Sequence, residues 1–375
     1  MAVSTLQARI RSSSDASLFF CAKMSFMPVL YRTYRPSKWS EVIGQDHITE
    51  PLKDSIANKR IAHAYLFSGS RGIGKTTLAR ILAKAVGASD EDIYEIDAAS
   101  NRGIDDIRSL REHVSVLPFS SAYKIYIIDE VHMLSKDAWN ALLKTLEEPP
   151  AHVIFILATT ELDKVPETII SRCQTFVFRK PSREVIRKQV QLIAKKEGIE
   201  VDAGAADLIA LLGDGSFRDA LGMLEKVISA SPPAGGVKKI TRQEVEAITG
   251  SPKAELVNGF IEGLIDKKAD IALSALNVAS LMGISMQTFA FLALEKVRFI
   301  LLCEYSPDAS KQLSERVSPD DMDFIISQAQ KKLVTPDILS RLMEGVEGVG
   351  RAKIESLPLE LAVVEICGRK GSVVL

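Results

Sequence analysis

Between residues 61 and 178, short apolar runs alternate with stretches in which apolar residues recur every three or four positions. The runs are short and nearly continuous, as expected of strands buried on both faces, whereas the longer stretches have the period of helices. Ala64-Tyr65-Leu66-Phe67 predicts a strand that ends in a glycine-rich loop, and Leu78, Ile81, Leu82 and Ala85 then fall on one helical face. Tyr94–Asp97 predicts a second strand, Ile104–Val114 a helix, and Lys124–Asp129 a third strand. A helix over Ala138–Glu147 is stopped by Pro149-Pro150, and Val153–Ala158 predicts a further buried strand. The alternation implies an α/β fold with a parallel sheet covered by helices on both faces.

After Pro181 the pattern contains no strand. Residues 182–230 predict three helices, and Ser231-Pro232-Pro233-Ala234-Gly235-Gly236 a loop. Thr241 is placed to cap a helix over Arg242–Thr249, with Glu244 three residues on as in a capping box. From Pro252 to about Ile366 the chain is again helical, punctuated by Pro307, Pro319, Pro336 and Pro358.

Composition narrows the class. The 375 residues carry 47 Lys+Arg against 48 Asp+Glu, a net charge of −1, which excludes a strongly basic whole-molecule field but not a local basic surface. No apolar run reaches the ~18–20 residues of a membrane span. The four cysteines, Cys21, Cys173, Cys303 and Cys367, contain no CxxC pair, which argues against a disulfide framework and a cysteine-based zinc site. This usage points to a reduced, cytoplasmic protein. Residues 1–27 stand apart: six serines with Arg9, Arg11 and Lys23 resemble a transit peptide, but the simpler expectation is a disordered tail or a start at Met24 or Met27.

Gly69-Ser70-Arg71-Gly72-Ile73-Gly74-Lys75-Thr76 fits the phosphate-binding pattern G-x-x-x-x-G-K-[ST] in full, with a predicted strand before it and a helix after it. The glycines let the loop turn its backbone N–H groups toward phosphate, and the helix adds its positive end. Lys75 then reaches the β- and γ-phosphates, and the Thr76 hydroxyl binds Mg²⁺. The strand Ile125–Ile128 delivers Asp129 to the same edge as a Mg²⁺ partner, and Glu130 to a position where it can activate an attacking water.

Around these residues the chain resembles the clamp-loader ATPases of the AAA+ class, most closely the gamma/tau family of bacterial DNA polymerase III. The resemblance rests on Asp129-Glu130-Val131-His132-Met133-Leu134-Ser135 and on the run from Asn140 to Pro150. Further matching segments are Tyr31-Arg32-Thr33-Tyr34-Arg35-Pro36, Val42-Ile43-Gly44-Gln45, Glu95–Asn101, Ala158-Thr159-Thr160 and Ser171-Arg172-Cys173. It is dense over residues 28–180, moderate over 181–250 and architectural beyond. It implies an AAA+ P-loop NTPase sheet over 28–180, a helical lid over 181–245, an all-α collar domain over 246–366 and a tail over 367–375.

The resemblance also implies roles. Thr160 resembles sensor 1, a polar group beside the γ-phosphate at the end of a strand next to Asp129. Arg172 resembles the arginine finger that acts in trans on a neighbouring subunit's ATP, and Arg218, in Gly215–Leu221, resembles sensor 2 on the lid. Arg35, Pro36, Val42 and Ile43 fall where the family packs adenine. Together with Gly69, Gly72, Ile73, Gly74, Lys75, Thr76 and Thr77, Arg35 and Val42 form the expected ATP set. Arg102 and Lys136, near two helix starts, are candidates for DNA-backbone contacts that read no sequence. Cys173 reads as a packing residue.

The family's cysteine-rich zinc module is missing, because Ala85–Asp92 runs straight into Ile93-Tyr94-Glu95, so no zinc is expected. The implied function is an ATP- and Mg²⁺-dependent motor that opens a sliding clamp and loads it on primer–template DNA. The implied partners are delta- and delta-prime-like subunits in a hetero-pentamer, the clamp and DNA, with no membrane. The family is often labelled a DNA polymerase through its holoenzyme, but no residue here suggests polymerisation. The chain ends shortly after Ile366, which suggests the shorter, gamma-like form. Alternatives are an archaeal or eukaryote-like small clamp-loader subunit, a branch-migration helicase and a non-hydrolysing ATP-binding scaffold. Ser171-Arg172-Cys173 and the run Ala141–Pro150 weigh against the helicase, and intact Lys75, Thr76, Asp129 and Glu130 weigh against the scaffold.

Overall fold

The structure, a computed structural model, describes residues 29–230, 238–306, 317 and 319–368. Residues 1–27, the loop 231–236, Pro307 and the tail from 369 lie outside the described residues. Two helices, α1 (Leu30–Thr33) and α2 (Asp46–Ala57), lead into β1 (Ala64–Ser68), and α3 (Lys75–Ala85) follows the glycine-rich loop. The alternation continues through β2 (Ile93–Asp97), α4 (Ile104–Val114), β3 (Lys124–Asp129), α5 (Lys136–Glu147) and β4 (Val153–Thr159). It closes with α6 (Glu167–Ile170) and β5 (Gln174–Val177). The five strands pair in parallel in the order β2-β3-β4-β1-β5. β5 escaped the sequence pattern because it is a short edge strand whose first two residues, Gln174 and Thr175, are polar.

Side chains alternate between the sheet's faces, as the pleat requires. Leu66, Tyr126, Ile128, Phe155 and Leu157 pack with α4 and α5 on one face. Tyr65, Phe67, Ile125, Ile127, Ile154 and Ile156 pack with α2 and α3 on the other. The register sets Ser68 beside Thr159 and Asp97 beside Asp129. The strands' C-terminal ends therefore form one edge, where ligands of open parallel sheets bind.

In the short link between α3 and β2, Asp92 ties the chain to a distant loop. Its carboxylate is fully buried. It accepts from the backbone N–H groups of Phe119 (2.6 Å), Ser120 (3.0 Å) and Ser121 (2.9 Å), and from the hydroxyls of Ser121 (2.6 Å) and Ser89 (3.0 Å). Burial pushes this carboxyl up, but the Ser121 hydroxyl and the Phe119 and Ser120 N–H groups together hold it well below the usual range. Replacing Asp92 by alanine orphans these donors and is expected to cost about 2–3 kcal/mol in urea unfolding. Because the folded pKa is depressed, the wild-type contribution is present above about pH 4 and is lost as the pH falls toward the folded value. The wild-type advantage over the alanine variant should shrink over that range.

Beyond Pro181 the three expected helices are present as α7 (Arg183–Lys196), α8 (Ala203–Leu212) and α9 (Phe217–Ala230). The expectation that strands stop there is corrected. β6 (Ile199–Val201) and β7 (Lys238–Ile240) pair in parallel as a second, two-stranded sheet. Three residues are too few to show a two-residue period against flanking helices. Thr241 and Glu244 form the capping box of α10 (Arg242–Thr249). Then come α11 (Ala254–Ile265), α12 (Ala269–Leu281), α13 (Met286–Tyr305), α14 (Pro319–Lys331), α15 (Pro336–Val349) and α16 (Leu357–Gly368). Among the described residues no helix is long and apolar enough to cross a membrane.

One continuous apolar cluster joins α7–α10 to α11–α16 and reaches back to Leu30. Ion pairs reinforce this junction. Arg183 of α7 meets both Asp207 of α8 and Glu295 of α13, while Arg242 and Lys296 converge on the buried Asp321. Charges buried this way persist because each has a partner; removing one partner of such a pair costs several kcal/mol. The helices next to the glycine-rich loop are thus tied to the C-terminal helices.

Candidate functional site

The glycine-rich loop turns back on itself through positive φ values at Gly69 (146°), Gly72 (73°) and Gly74 (103°). A Cβ on Gly69 would stand 2.8 Å from Ile73 Cδ1 and 3.0 Å from the Phe178 backbone oxygen, so the loop closes only with glycine there. Lys75 opens α3 with its side chain folded under the loop. Its Nζ donates to the carbonyls of Gly69 (2.7 Å) and Ser70 (2.9 Å), and the residue is only 5% exposed. Burial lowers its pKa, while Glu130 and Asp129 pull it back up.

Next to it the Thr76 hydroxyl donates to Asp129 Oδ2 at 2.6 Å, and the Glu130 N–H donates to Asp129 Oδ1 at 3.0 Å. Glu130 itself is left-handed, with φ 50° and ψ 44°, a conformation that costs a non-glycine residue roughly 1–3 kcal/mol. The turn swings its carboxylate toward the end of β4. There Thr160 Oγ1 donates to Glu130 Oε2 at 3.0 Å. Thr160 lies one residue past the strand, which ends at the fully buried Thr159, and its hydroxyl meets Glu130 rather than Asp129.

These residues line one cavity of about 630 Å³. Arg35, Pro36, Val42, Ile43, Gly72, Ile73, Gly74, Lys75, Thr76, Thr77, Asp129, Glu130 and Arg218, separated by up to half the chain, all border it. Gly69 and Thr160 do not line it; each bonds a residue that does, Gly69 through its carbonyl to Lys75 and Thr160 through its hydroxyl to Glu130. Arg35 Nε donates to Thr77 Oγ1 at 3.0 Å. Burial, then the nearby Arg80 guanidinium, lowers the Arg35 pKa, and Arg218 adds to the effect. Such a gathering of like charges is relieved by a polyanion.

Several lining residues were not singled out from the sequence: Tyr31, Arg71, Arg80, Gln189, Phe217 and Leu221. Tyr31 stacks beneath the Arg218 guanidinium, 5.8 Å from ring centroid to Cζ. It stands within the segment Tyr31–Pro36, so the signal was present, but the pairing depends on α9 coming over the loop. Phe217 makes that approach explicit: its N–H donates to Gly72 O at 3.1 Å.

Arg172 does not reach this cavity. Its guanidinium donates to Glu147 Oε1 (2.8 Å) and to the Thr168 carbonyl (2.7 Å), with its side chain 35% exposed. Beside it, burial pushes the Cys173 thiol up to about 12, so this sulfur packs rather than reacts. Arg102 and Lys136 are exposed and adjoin each other, since the Ser135 N–H, one residue before Lys136, donates to Arg102 O at 3.2 Å. The starts of α4 and α5 thus lie side by side.

Comparison with known proteins gives a consistent picture. A family model described as DNA polymerase III, delta subunit, matches residues 44–102 and 87–182. A second, described as DNA polymerase III clamp loader subunit, ATPase lid domain, matches residues 185–232. The chain is 39% identical over 362 residues to DNA polymerase III subunit tau of Bacillus subtilis, covering 90% of this chain and 63% of that protein. It is 37% identical over 328 residues to the Escherichia coli subunit tau, covering 79% and 50%. The chain therefore spans less than two thirds of the length of these relatives. Among solved structures, the Thermotoga maritima RuvB Holliday junction branch migration motor superposes with a TM-score of 0.50 at 19% identity. That superposition covers 69% of this chain and 91% of that one, a likeness of fold alone.

Proposed function

Because the chain belongs to the gamma/tau clamp-loader ATPase family of bacterial DNA polymerase III, we propose that it binds and hydrolyses ATP to load a sliding clamp on primer–template DNA. The observation that carries this reading is the convergence of Lys75, the Thr76–Asp129 pair, Glu130 and Arg218 on one cavity, with Arg172 held outside it. In this reading Lys75 exchanges its bonds to the loop carbonyls for β- and γ-phosphate oxygens, and the N–H groups of residues 72–76 hold the same phosphates. Thr76 and Asp129 offer hard oxygen donors 2.6 Å apart at the phosphate end of α3, a set that fits Mg²⁺. Mg²⁺ bound there would neutralise charge on the transferring phosphate. Among the described residues no cluster of three or more His, Cys, Asp or Glu could hold a metal by itself.

Glu130 is the base in this mechanism. Thr160 fixes Oε2, and the carboxylate orients water and takes its proton as the water oxygen attacks the γ-phosphorus and the bond to the β–γ bridging oxygen breaks, releasing ADP and phosphate. Adenine would rest against Val42 and Ile43 beside Arg35. Arg172 would stabilise the developing charge on ATP held by the next subunit in the ring. Arg218, with Tyr31 beneath it, would make the position of α9 depend on the nucleotide. The ion pairs between α7, α8 and α13 would pass that position to the C-terminal helices, which we read as the collar. Arg102, Lys136 and the adjoining helix starts would grip DNA phosphates; with several subunits lining one channel, each needs to offer few contacts. We assign domains at 28–180, 181–245 and 246–366, delta- and delta-prime-like partners in a hetero-pentamer, and a cytoplasmic location.

The test is affinity capture with the tagged chain from cells in which it is native. Recovery of a ring-shaped clamp together with wedge-type AAA+ subunits is expected; recovery of junction-processing proteins instead would overturn the assignment. A second expectation concerns the contact between the loop and α9. In Gly72→Ala the new Cβ would lie 2.0 Å from Ser216 Oγ, on a residue with φ +73°. Strain of about 1–3 kcal/mol should weaken ATP binding about 5- to 150-fold, read by fluorescent-nucleotide titration.

A further inference from the structure

His132 follows Glu130 by two residues, in the 3-10 turn Val131–Met133. Its side chain is only 6% exposed, and both ring nitrogens have partners. Nδ1 lies 3.0 Å from Thr159 Oγ1 and 3.5 Å from Glu130 Oε2. Nε2 lies 3.3 Å from Glu161 Oε1, whose other oxygen meets Lys164 Nζ at 2.7 Å. The Thr159 hydroxyl is itself committed, because it lies within 3.1 Å of the Glu161 carbonyl and accepts from the Glu161 N–H at 3.0 Å. The same Glu130 oxygen that faces His132 accepts from Thr160. Glu130 Oε2 thus accepts a hydrogen bond from Thr160 and has His132 Nδ1 3.5 Å away, while Oε1 has no hydrogen-bond partner among the described residues.

We propose that His132 is a positioning residue for Glu130, holding Oε2 from the protein side so that Oε1 is directed at the attacking water. The proposal rests on the reading of Glu130 as the base. The chemistry of the two nitrogens supports it. A carboxylate on a left-handed residue has a strained backbone but a freely rotating side chain, so its aim depends on groups that hold one oxygen. Thr160 alone supplies one such bond, on the loop that follows β4. His132 supplies a second, longer contact from the turn that carries Glu130 itself, and the ring is held by the hydrogen bond between Nδ1 and Thr159 Oγ1, with Glu161 facing Nε2.

The two amide substitutions separate this role from packing. His132→Asn keeps a donor near the Nδ1 position, toward Glu130, and gives up the contact with Glu161. His132→Gln keeps a donor near the Nε2 position, toward Glu161, and gives up the contact with Glu130. In the reconstituted clamp-loader complex, with DNA-stimulated phosphate release as readout, His132→Gln is expected to lower kcat about 10- to 100-fold with KM for ATP within about twofold. His132→Asn should stay within about threefold of wild type. In a Glu130→Gln background, adding His132→Gln should lower turnover no further, because the group it aims is already disabled. Wild-type turnover in His132→Gln, equal losses in both amide variants, or a larger loss in His132→Asn would overturn the proposal. Retained turnover in Glu130→Gln alone would instead overturn the reading of the base, so the two failures are distinguishable.

Discussion

Replacing Arg172 by alanine is expected to lower DNA-stimulated ATP turnover of the assembled complex by about 10³-fold or more, with the affinity of each chain for its own ATP changed by less than about twofold. The size follows from the charge that develops on the transferring phosphoryl group and from the guanidinium's fixed array of donors. The expected sparing of affinity follows from location: the side chain lies outside the chain's own cavity, paired with Glu147 on the surface. A pair with both partners more than a third exposed is worth at most about 1 kcal/mol, so exchanging Glu147 for a neighbour's phosphate costs little. Nucleotide titration and phosphate release on the same preparation check both halves of the expectation. A loss of ATP affinity in the isolated chain would mean that Arg172 acts in cis or supports the fold.

Glu130→Gln is the second large effect. Glutamine keeps the length and can accept from Thr160 as the carboxylate does, but it cannot take a proton at neutral pH. Turnover should fall about 10²- to 10⁴-fold while ATP is still bound. The complex would then accumulate with ATP in place, which a filter-binding or fluorescence assay reads directly. Lys75→Ala should do the opposite and lose binding itself, since this buried ammonium is the cation held against the loop carbonyls where the phosphates would lie. Normal turnover in Glu130→Gln would remove the base from this account.

Much of this site was legible because its chemistry is local in sequence. Gly69–Thr76 is one uninterrupted loop, and Asp129-Glu130 ends a run of apolar residues that can only be a buried strand. The segment holding Arg35 and Val42 was recognisable through resemblance, and it does line the cavity. What escaped depends on segments far apart. Asp92 sits in an acidic triplet, Asp90-Glu91-Asp92, that reads as solvated; its burial is set by N–H groups 27 to 29 residues on. Tyr31 acquires its place only when α9 brings Arg218 over it. His132 lay inside a recognisable motif, yet its contacts exist because Glu130 turns left-handed and folds the next residues back under its own carboxylate. Lys296 and Asp321, two charges that no local pattern singles out, form a buried pair at 2.5 Å. β5, β6 and β7 were missed because two of them have three residues and the other is a half-polar edge.

ATP bound by this chain is expected to drive the placement of a ring on DNA. The most direct measurement follows a fluorescent clamp onto primed circular DNA, with bound clamps separated from free ones by gel filtration. Complexes are assembled with wild-type chain or with Lys75→Ala. Clamps should be retained on the circle only with wild-type chain and ATP, and released when the circle is linearised. Equal retention with Lys75→Ala, or retention without ATP, would contradict this expectation.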